Sequence, residues 1–94
     1  MEKVKLWRVV ALAMVKAVIL IRCKAGTYKD VVRKLKAMDN VKLVFSSLGA
    51  YDVVSKIEAS SFSEVGRTVR MIRSLDNVSA TETLVEVETE GVSN

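Results

Sequence analysis

The segment Leu35-Lys36-Ala37-Met38-Asp39-Asn40-Val41 returns 37 residues later as Ile72-Arg73-Ser74-Leu75-Asp76-Asn77-Val78. Each copy closes a stretch of helical period and opens a β-rich run, so the chain consists of two similar strand-helix-strand units. With 94 residues, 50% of them apolar and no proline, it is long enough for one core and too short for two. The two units must therefore share a sheet. There is room for helices on one face of it and none for a separate DNA-reading module.

Periodicity places the elements. Val15 to Cys23 is a β-branched apolar run with Ala17, Ile19 and Ile21 on one face and Val18 and Leu20 on the other, the pattern of an inner strand covered on both sides. Gly26-Thr27 breaks it, and Thr27 is expected to cap a helix whose stripe is Tyr28, Val31, Val32, Leu35 and Met38. After Asp39-Asn40 the pattern predicts a second strand from Val41 to Leu48. Gly49-Ala50 then makes a tight connection into a third strand from Tyr51 to Ala59, antiparallel to the second. Ser61-Phe62-Ser63-Glu64 has the spacing of a capping box, and Phe62, Val65, Val69 and Ile72 form the stripe of a second helix. Val78 to Thr89 is expected as a long last strand.

The order is β-α-β-β-α-β, an α+β, ferredoxin-like arrangement: an antiparallel four-stranded sheet with the first and third strands in the middle and two helices on one face. The other face stays open and carries many apolar side chains. A bare apolar sheet face on so small a chain points to an oligomer, at least a dimer with two sheets packed face to face.

Residues 14–90 make up this domain, 91–94 a loose C-terminal tail and 1–13 an N-terminal extension. Leu6 to Ile21 is apolar apart from Arg8 and Lys16 and follows Lys3 and Lys5, which is the outline of a signal peptide. Lys16 interrupts it, however, no small-x-small cleavage site closes it, and it is too short and too charged to span a bilayer. Because Met14 directly precedes the first strand, two origins stay open for residues 1–13. They are either an extension arising from start-codon choice or an added short helix or strand whose Trp7 packs on the body or on a neighbouring subunit.

Histidine is absent and Cys23 is the lone cysteine, so there is no disulfide pair and no set of zinc or iron ligands. A reducing cytoplasm is the natural setting, with neither metal nor cofactor expected. Up to Lys36, ten lysines and arginines face only Glu2 and Asp30; from Ala37 onward five face nine acids. Such asymmetry can mark a nucleic-acid contact. Yet Lys29, Arg33, Lys34 and Lys36 fall on the polar side of the first helix, where a solvated face is the simpler account, and opposite charges on two parts of one domain also suit self-association.

Gly49-Ala50-Tyr51-Asp52-Val53-Val54, Ile72-Arg73-Ser74-Leu75 and Thr81-Glu82-Thr83-Leu84-Val85 together resemble the ligand-binding (RAM) domain of the leucine-responsive/asparagine-regulator (Lrp/AsnC) family of prokaryotic regulators, over roughly Met14 to Glu88. G-x-Y-D and T-x-T are short motifs, and their weight comes from where they fall in the βαββαβ frame. The resemblance implies a dimeric α/β barrel that assembles further into rings or octamers and binds amino acids near subunit interfaces. In full-length members a helix-turn-helix precedes this domain, and the chain resembles the stand-alone form found in archaea and bacteria. The family carries its ligand contacts on the G-x-Y-D hairpin, which transfers Gly49, Tyr51 and Asp52 with Ala50 between them. Thr81 and Thr83 match T-x-T.

The chemistry of those residues suits a zwitterion. An amino acid's ammonium wants a carboxylate, which Asp52 supplies. Its carboxylate wants N–H and O–H donors, which turn amides from Gly49 to Tyr51 and the hydroxyls of Thr81 and Thr83 can offer, with the missing Cβ of Gly49 allowing close approach. Each residue also has a purely structural alternative. Gly49 makes the turn, Asp52 caps the hairpin, Tyr51 packs, and threonine is common in strands. Cys23 is most simply a small strand residue.

Dimeric α/β barrels also include small monooxygenases, but a chain without histidine, whose hydroxyls have no evident general-base partner, is not expected to be an enzyme. A second rival is a structural partner that forms mixed oligomers with a full-length regulator. Direct DNA or RNA binding ranks below both, since the basic face lacks interleaved stacking aromatics. The expectation is a cytoplasmic effector-sensing and oligomerisation domain with a free amino acid as ligand, acting on transcription or amino-acid metabolism and contacting no membrane.

Overall fold

The computed structural model describes residues 14–87, so the expected extension 1–13, the tail 91–94 and the end of the last strand lie outside the described residues. The elements follow in the order β1 (Val15–Cys23), α1 (Tyr28–Lys36), β2 (Val41–Ser46), β3 (Val53–Ala59), α2 (Phe62–Arg73) and β4 (Val78–Val85). The strands form one antiparallel sheet in the order β2-β3-β1-β4, which places the first and third in the middle as expected. β2 ends two residues short of Leu48 and β3 begins two residues after Tyr51, because Ser47 to Asp52 is turn. The Ser47 amide donates to the Asp52 carbonyl at 2.9 Å, closing the loop.

Alternation decides the core. Ala17, Ile19 and Ile21 of β1 and Val53, Ile57 and Ala59 of β3 are buried beneath Val31 and Leu35 of α1 and Val65 and Ile72 of α2. Burying each large aliphatic side chain contributes about 1.5–3 kcal/mol, which makes this layer the main source of stability. Ser55 sits in the same layer, fully buried, with no hydrogen-bond partner for its hydroxyl among the described residues. Tyr28 and Phe62, both expected in the buried stripes, are 40% and 70% exposed. Each is the first residue of its helix, and a helical side chain leans back over the preceding turn, here past the rest of the stripe.

The caps also differ in detail. Thr27 stands at the N-cap of α1, but its hydroxyl donates backwards to the Lys24 carbonyl at 2.7 Å and makes no cap bond to the helix. At α2 the Ser61 hydroxyl accepts from the Glu64 amide at 3.1 Å, as the spacing predicts. The Glu64 carboxylate reaches one residue further back than expected, accepting from the amide and hydroxyl of Ser60.

The repeat has a geometric meaning. In each copy the asparagine follows a helix and reaches onto the helix of the other half: Asn40 Nδ2 donates to Thr68 Oγ1 at 2.6 Å, and Asn77 Nδ2 donates to Asp30 Oδ2 at 2.9 Å. The two backbone carbonyls do the same with strands, Asn40 accepting from the Glu58 amide at 3.0 Å and Asn77 from the Lys24 amide at 2.9 Å. A β-bulge follows each copy at the same offset, at Lys42 in β2 and at Ser79 in β4. The Ser79 hydroxyl donates to the Arg22 carbonyl at 3.0 Å, so the bulge carries its own fastening.

The bulge at Lys42 leaves Val41 over the helix side and turns Leu43 and Phe45 to the opposite face, where they pair with Lys56 and Val54. Leu43, Phe45 and Leu84 are about half exposed there, beside half-buried Val18, Leu20 and Val54. The open apolar face expected from the alternation is present.

A net side-chain hydrogen bond is worth about 1 kcal/mol, more when its loss strands a polar partner. Asn40→Ala and Asn77→Ala should therefore each lower the unfolding free energy by about 1–2 kcal/mol in urea titrations, with losses that add because the two bonds share no partner. Asp30 also accepts from Lys34, Arg33 and Asn77, and these contacts hold its carboxyl below the ordinary 3.8. Its contribution is thus present above the unfolded-state pKa and lost as the pH falls through the depressed folded value. Carboxyl titration by NMR should show the Asp30 pKa rising in Asn77→Ala.

Candidate functional site

The turn between β2 and β3 holds the G-x-Y-D residues, and its backbone explains part of the motif. Gly49 has φ +123°, a region side chains rarely adopt, while a Cβ placed there would meet nothing within 4 Å. The glycine is needed for the turn; close approach by other atoms of the same chain is not the reason. Ser47 Oγ donates to the Tyr51 carbonyl at 2.8 Å and stiffens the loop from inside.

Asp52 is tied to the end of β1 by its backbone and its side chain. Its amide donates to the Ile21 carbonyl at 2.9 Å, and its Oδ2 accepts from the Cys23 amide at 2.7 Å. The other carboxylate oxygen accepts no hydrogen bond among the described residues. Asp52 lines a pocket of about 370 Å³ with Tyr28, Ser46, Ser47 and Leu48, where the end of β2 meets the start of α1. That volume lies at the small end of the usual range of about 300–1,000 Å³ for small-molecule sites. One carboxylate beside two serine hydroxyls, a phenol ring and a fully exposed leucine is a lining able to hold a cationic group at one edge and an apolar side chain at another.

The other four candidate residues go elsewhere or stay at the rim. Ala50 is exposed, and its carbonyl accepts from Arg22 Nε at 3.1 Å. Tyr51 turns away from Asp52 and lies over the open sheet face. There its hydroxyl donates to Glu82 and its ring sits 5.4 Å from the Arg22 guanidinium. The bond to Glu82 is the main reason its phenol is held above the ordinary range. Thr81 and Thr83 pair with Ile21 and Ile19 on the helix side of β4, half-buried, and Thr81 lines a separate groove with Arg73, Ser79 and Ala80. Within one chain the structure brings Asp52 into a pocket and does not bring the two threonines to it.

Sequence reading missed Tyr28, Ser46, Ser47 and Leu48 as pocket residues. The Ser46-Ser47 pair, one residue removed from the turn glycine, is the available signal. It is masked by the strand pattern, which extends over Ser46, Ser47 and Leu48, and by the helical stripe, which includes Tyr28.

Comparison with known proteins follows the same outline. The Lrp/AsnC ligand binding domain profile matches residues 16–90. The HTH-type transcriptional regulator FL11 of Pyrococcus furiosus is 35% identical over 69 residues, covering 73% of this chain and 46% of the regulator. Homocitrate synthase of Sulfurisphaera tokodaii is 33% identical over 70 residues, covering 73% of this chain and 15% of the enzyme. The chain thus spans about half the length of the regulators it matches and a small part of the synthases. Among solved structures, FFRP-DM1 superimposes with a TM-score of 0.75 at 30% identity, over 78% of this chain and 99% of that one. AsnC of E. coli shares the fold, with a TM-score of 0.77 at 23% identity over 85% of this chain and 55% of its own.

The contact between Asp52 and the end of β1 can be tested through Cys23. Burial, and secondarily the Asp52 charge, hold the Cys23 thiol above its ordinary pKa. Asp52→Asn keeps an acceptor for the Cys23 amide and removes the charge. It should speed alkylation of Cys23 at pH 8 measurably, while unfolding the protein first should erase the difference between the two forms.

Proposed function

The chain belongs to the Lrp/AsnC ligand binding domain family, and from that premise we propose that its pocket beside Asp52 takes a free α-amino acid and that a second copy covers its open sheet face. The observation that carries this reading is a carboxylate with one oxygen bonded to the Cys23 amide, on a residue that lines a pocket of small-ligand size. The carboxylate suits an ammonium group. The Ser46 hydroxyl and the turn amides suit a carboxylate, and Leu48 and Tyr28 offer apolar surface to a side chain.

A second line of support comes from what the relatives have in common. One group is named for transcriptional regulation and another for homocitrate synthesis, yet each shares about 70 residues with this chain. Neither DNA reading nor catalysis is common to both, so sensing or assembly is the economical role for the shared part. In this reading the domain is not itself catalytic, it works in the cytoplasm, and it controls transcription or amino-acid metabolism through its assembly. Among the described residues no helix is long and apolar enough to cross a membrane. Leu43, Phe45 and Leu84 on the open face favour a homodimer built sheet to sheet, and rings or octamers of such dimers follow if the hairpins meet. The same face would equally accept a full-length regulator carrying the same domain, giving mixed oligomers.

A thermal-shift panel of the twenty amino acids, run on the protein and on Asp52→Asn, tests the site. Asparagine keeps the bond to the Cys23 amide, so the variant should fold normally. Alanine would strand that amide at a cost of about 1 kcal/mol or more and confuse the result. One or a few amino acids should raise the melting temperature by several degrees at saturating concentration, and the variant should lose the rise. A flat panel would sink amino-acid sensing and leave mixed assembly as the role. Phe45→Lys, followed by sedimentation, should shift the dimer to monomer.

A further inference from the structure

We infer that Arg22 and Glu82 are positioning residues for the Gly49–Asp52 hairpin, holding Tyr51 across the open sheet face and so tying the pocket to the surface on which a second copy docks. The inference rests on the reading of pocket and dimer given above, which it deepens.

The turn from Ser47 to Asp52 has two anchors outside itself, one on each side of the sheet. On the pocket side Asp52 is bound to the end of β1 through the Ile21 carbonyl and the Cys23 amide. On the open side Arg22 Nε donates to the Ala50 carbonyl, and the Tyr51 hydroxyl donates to Glu82. Arg22 belongs to β1 and Glu82 to β4, so Tyr51 starts from the turn before β3 and crosses the whole width of β1. Its ring rests under the Arg22 guanidinium.

Arg22 and Glu82 fall on the alternation that also places Val18, Leu20 and Leu84 on the open face, since Glu82 pairs with Leu20 and Arg22 with Ala80. In a single chain the arginine and the glutamate are exposed. Water and salt screen charged contacts of this kind, and they hold weakly. A second copy laid over the face would displace that water. The charged contacts then strengthen in the lower dielectric, and the turn that frames the pocket is held in one conformation. Ligand and partner thereby favour the same state of the hairpin, which is a coupling between two sites through one identified element.

Hydrogen exchange at the amides of Ser47, Asp52 and Cys23 reads the hairpin without any ligand. In the unmodified protein these amides should exchange more slowly in the dimer than after dilution to monomer. Glu82→Leu should speed them about tenfold within the dimer and remove the dependence on dimerisation, while β1 and β3 interior amides keep their protection. Glu82→Gln, which still offers an oxygen to the phenol, should restore most of the protection. As a spectroscopic check, alkaline absorbance titration should show Tyr51 ionising at lower pH in Glu82→Leu than in the unmodified protein.

Unchanged hairpin exchange in Glu82→Leu would overturn the positioning role, and equal protection in monomer and dimer would overturn the coupling. A flat amino-acid panel sinks the sensing reading alone, since the exchange comparison is made without ligand.

Discussion

Two asparagine side chains, each reaching from the end of one half onto the helix of the other, lock this small fold together. The last carbonyls of each helix are satisfied within its own unit, Leu35 accepting from the Met38 amide and Ile72 from the Leu75 amide, and the asparagines add the bonds that cross to the other half. The hydrophobic layer supplies most of the stabilisation but is tolerant of small shifts, as apolar contacts are non-directional. The crossed hydrogen bonds remove that tolerance. They set where each helix sits along the sheet, and the bulges at Lys42 and Ser79 then choose which side chains of the two edge strands face out.

Tyr51 and Asp52 lie in the turn before β3, outside that strand's alternation, and the turn sends their side chains to different surfaces. Asp52 turns to the start of α1 and the pocket, and Tyr51 lies over the open face. Two adjacent residues thus touch both surfaces of the sheet, and Gly49-Ala50-Tyr51-Asp52 has a physical reading on each side.

Much of the fold was legible because it rests on period. The repeat, the alternation in β1 and the apolar stripes gave element order, inner strands and open face, and the structure agrees. Tyr28 and Phe62 misled because period says which side of a helix a residue is on, and says nothing about whether anything covers that level. Thr27 misled because a hydroxyl has more than one carbonyl or amide within reach, and propensity does not choose among them. The site was less legible for the same reason. Asp52 stood out by its motif, but Ser46, Ser47 and Tyr28 come together through tertiary placement of the start of α1 against the end of β2. Thr81 and Thr83 look like partners of the hairpin in one dimension, whereas the β1 pairing sends them to the helix side of the far edge.

The first residues of β1 and the last of β4 lie side by side, with Ala17 opposite Val85 and the Glu86 amide bonded to the Lys16 carbonyl. The hairpin sits at the other end of β1, a nine-residue strand and so roughly 25 Å away. Anything fused to this domain, whether a DNA reader or a synthase, would leave from one common doorstep remote from the pocket. A cargo attached there can be exchanged without redesigning what the domain recognises. For the proposed pocket, that separation means a ligand would act on such a cargo along the sheet, from the far end of β1.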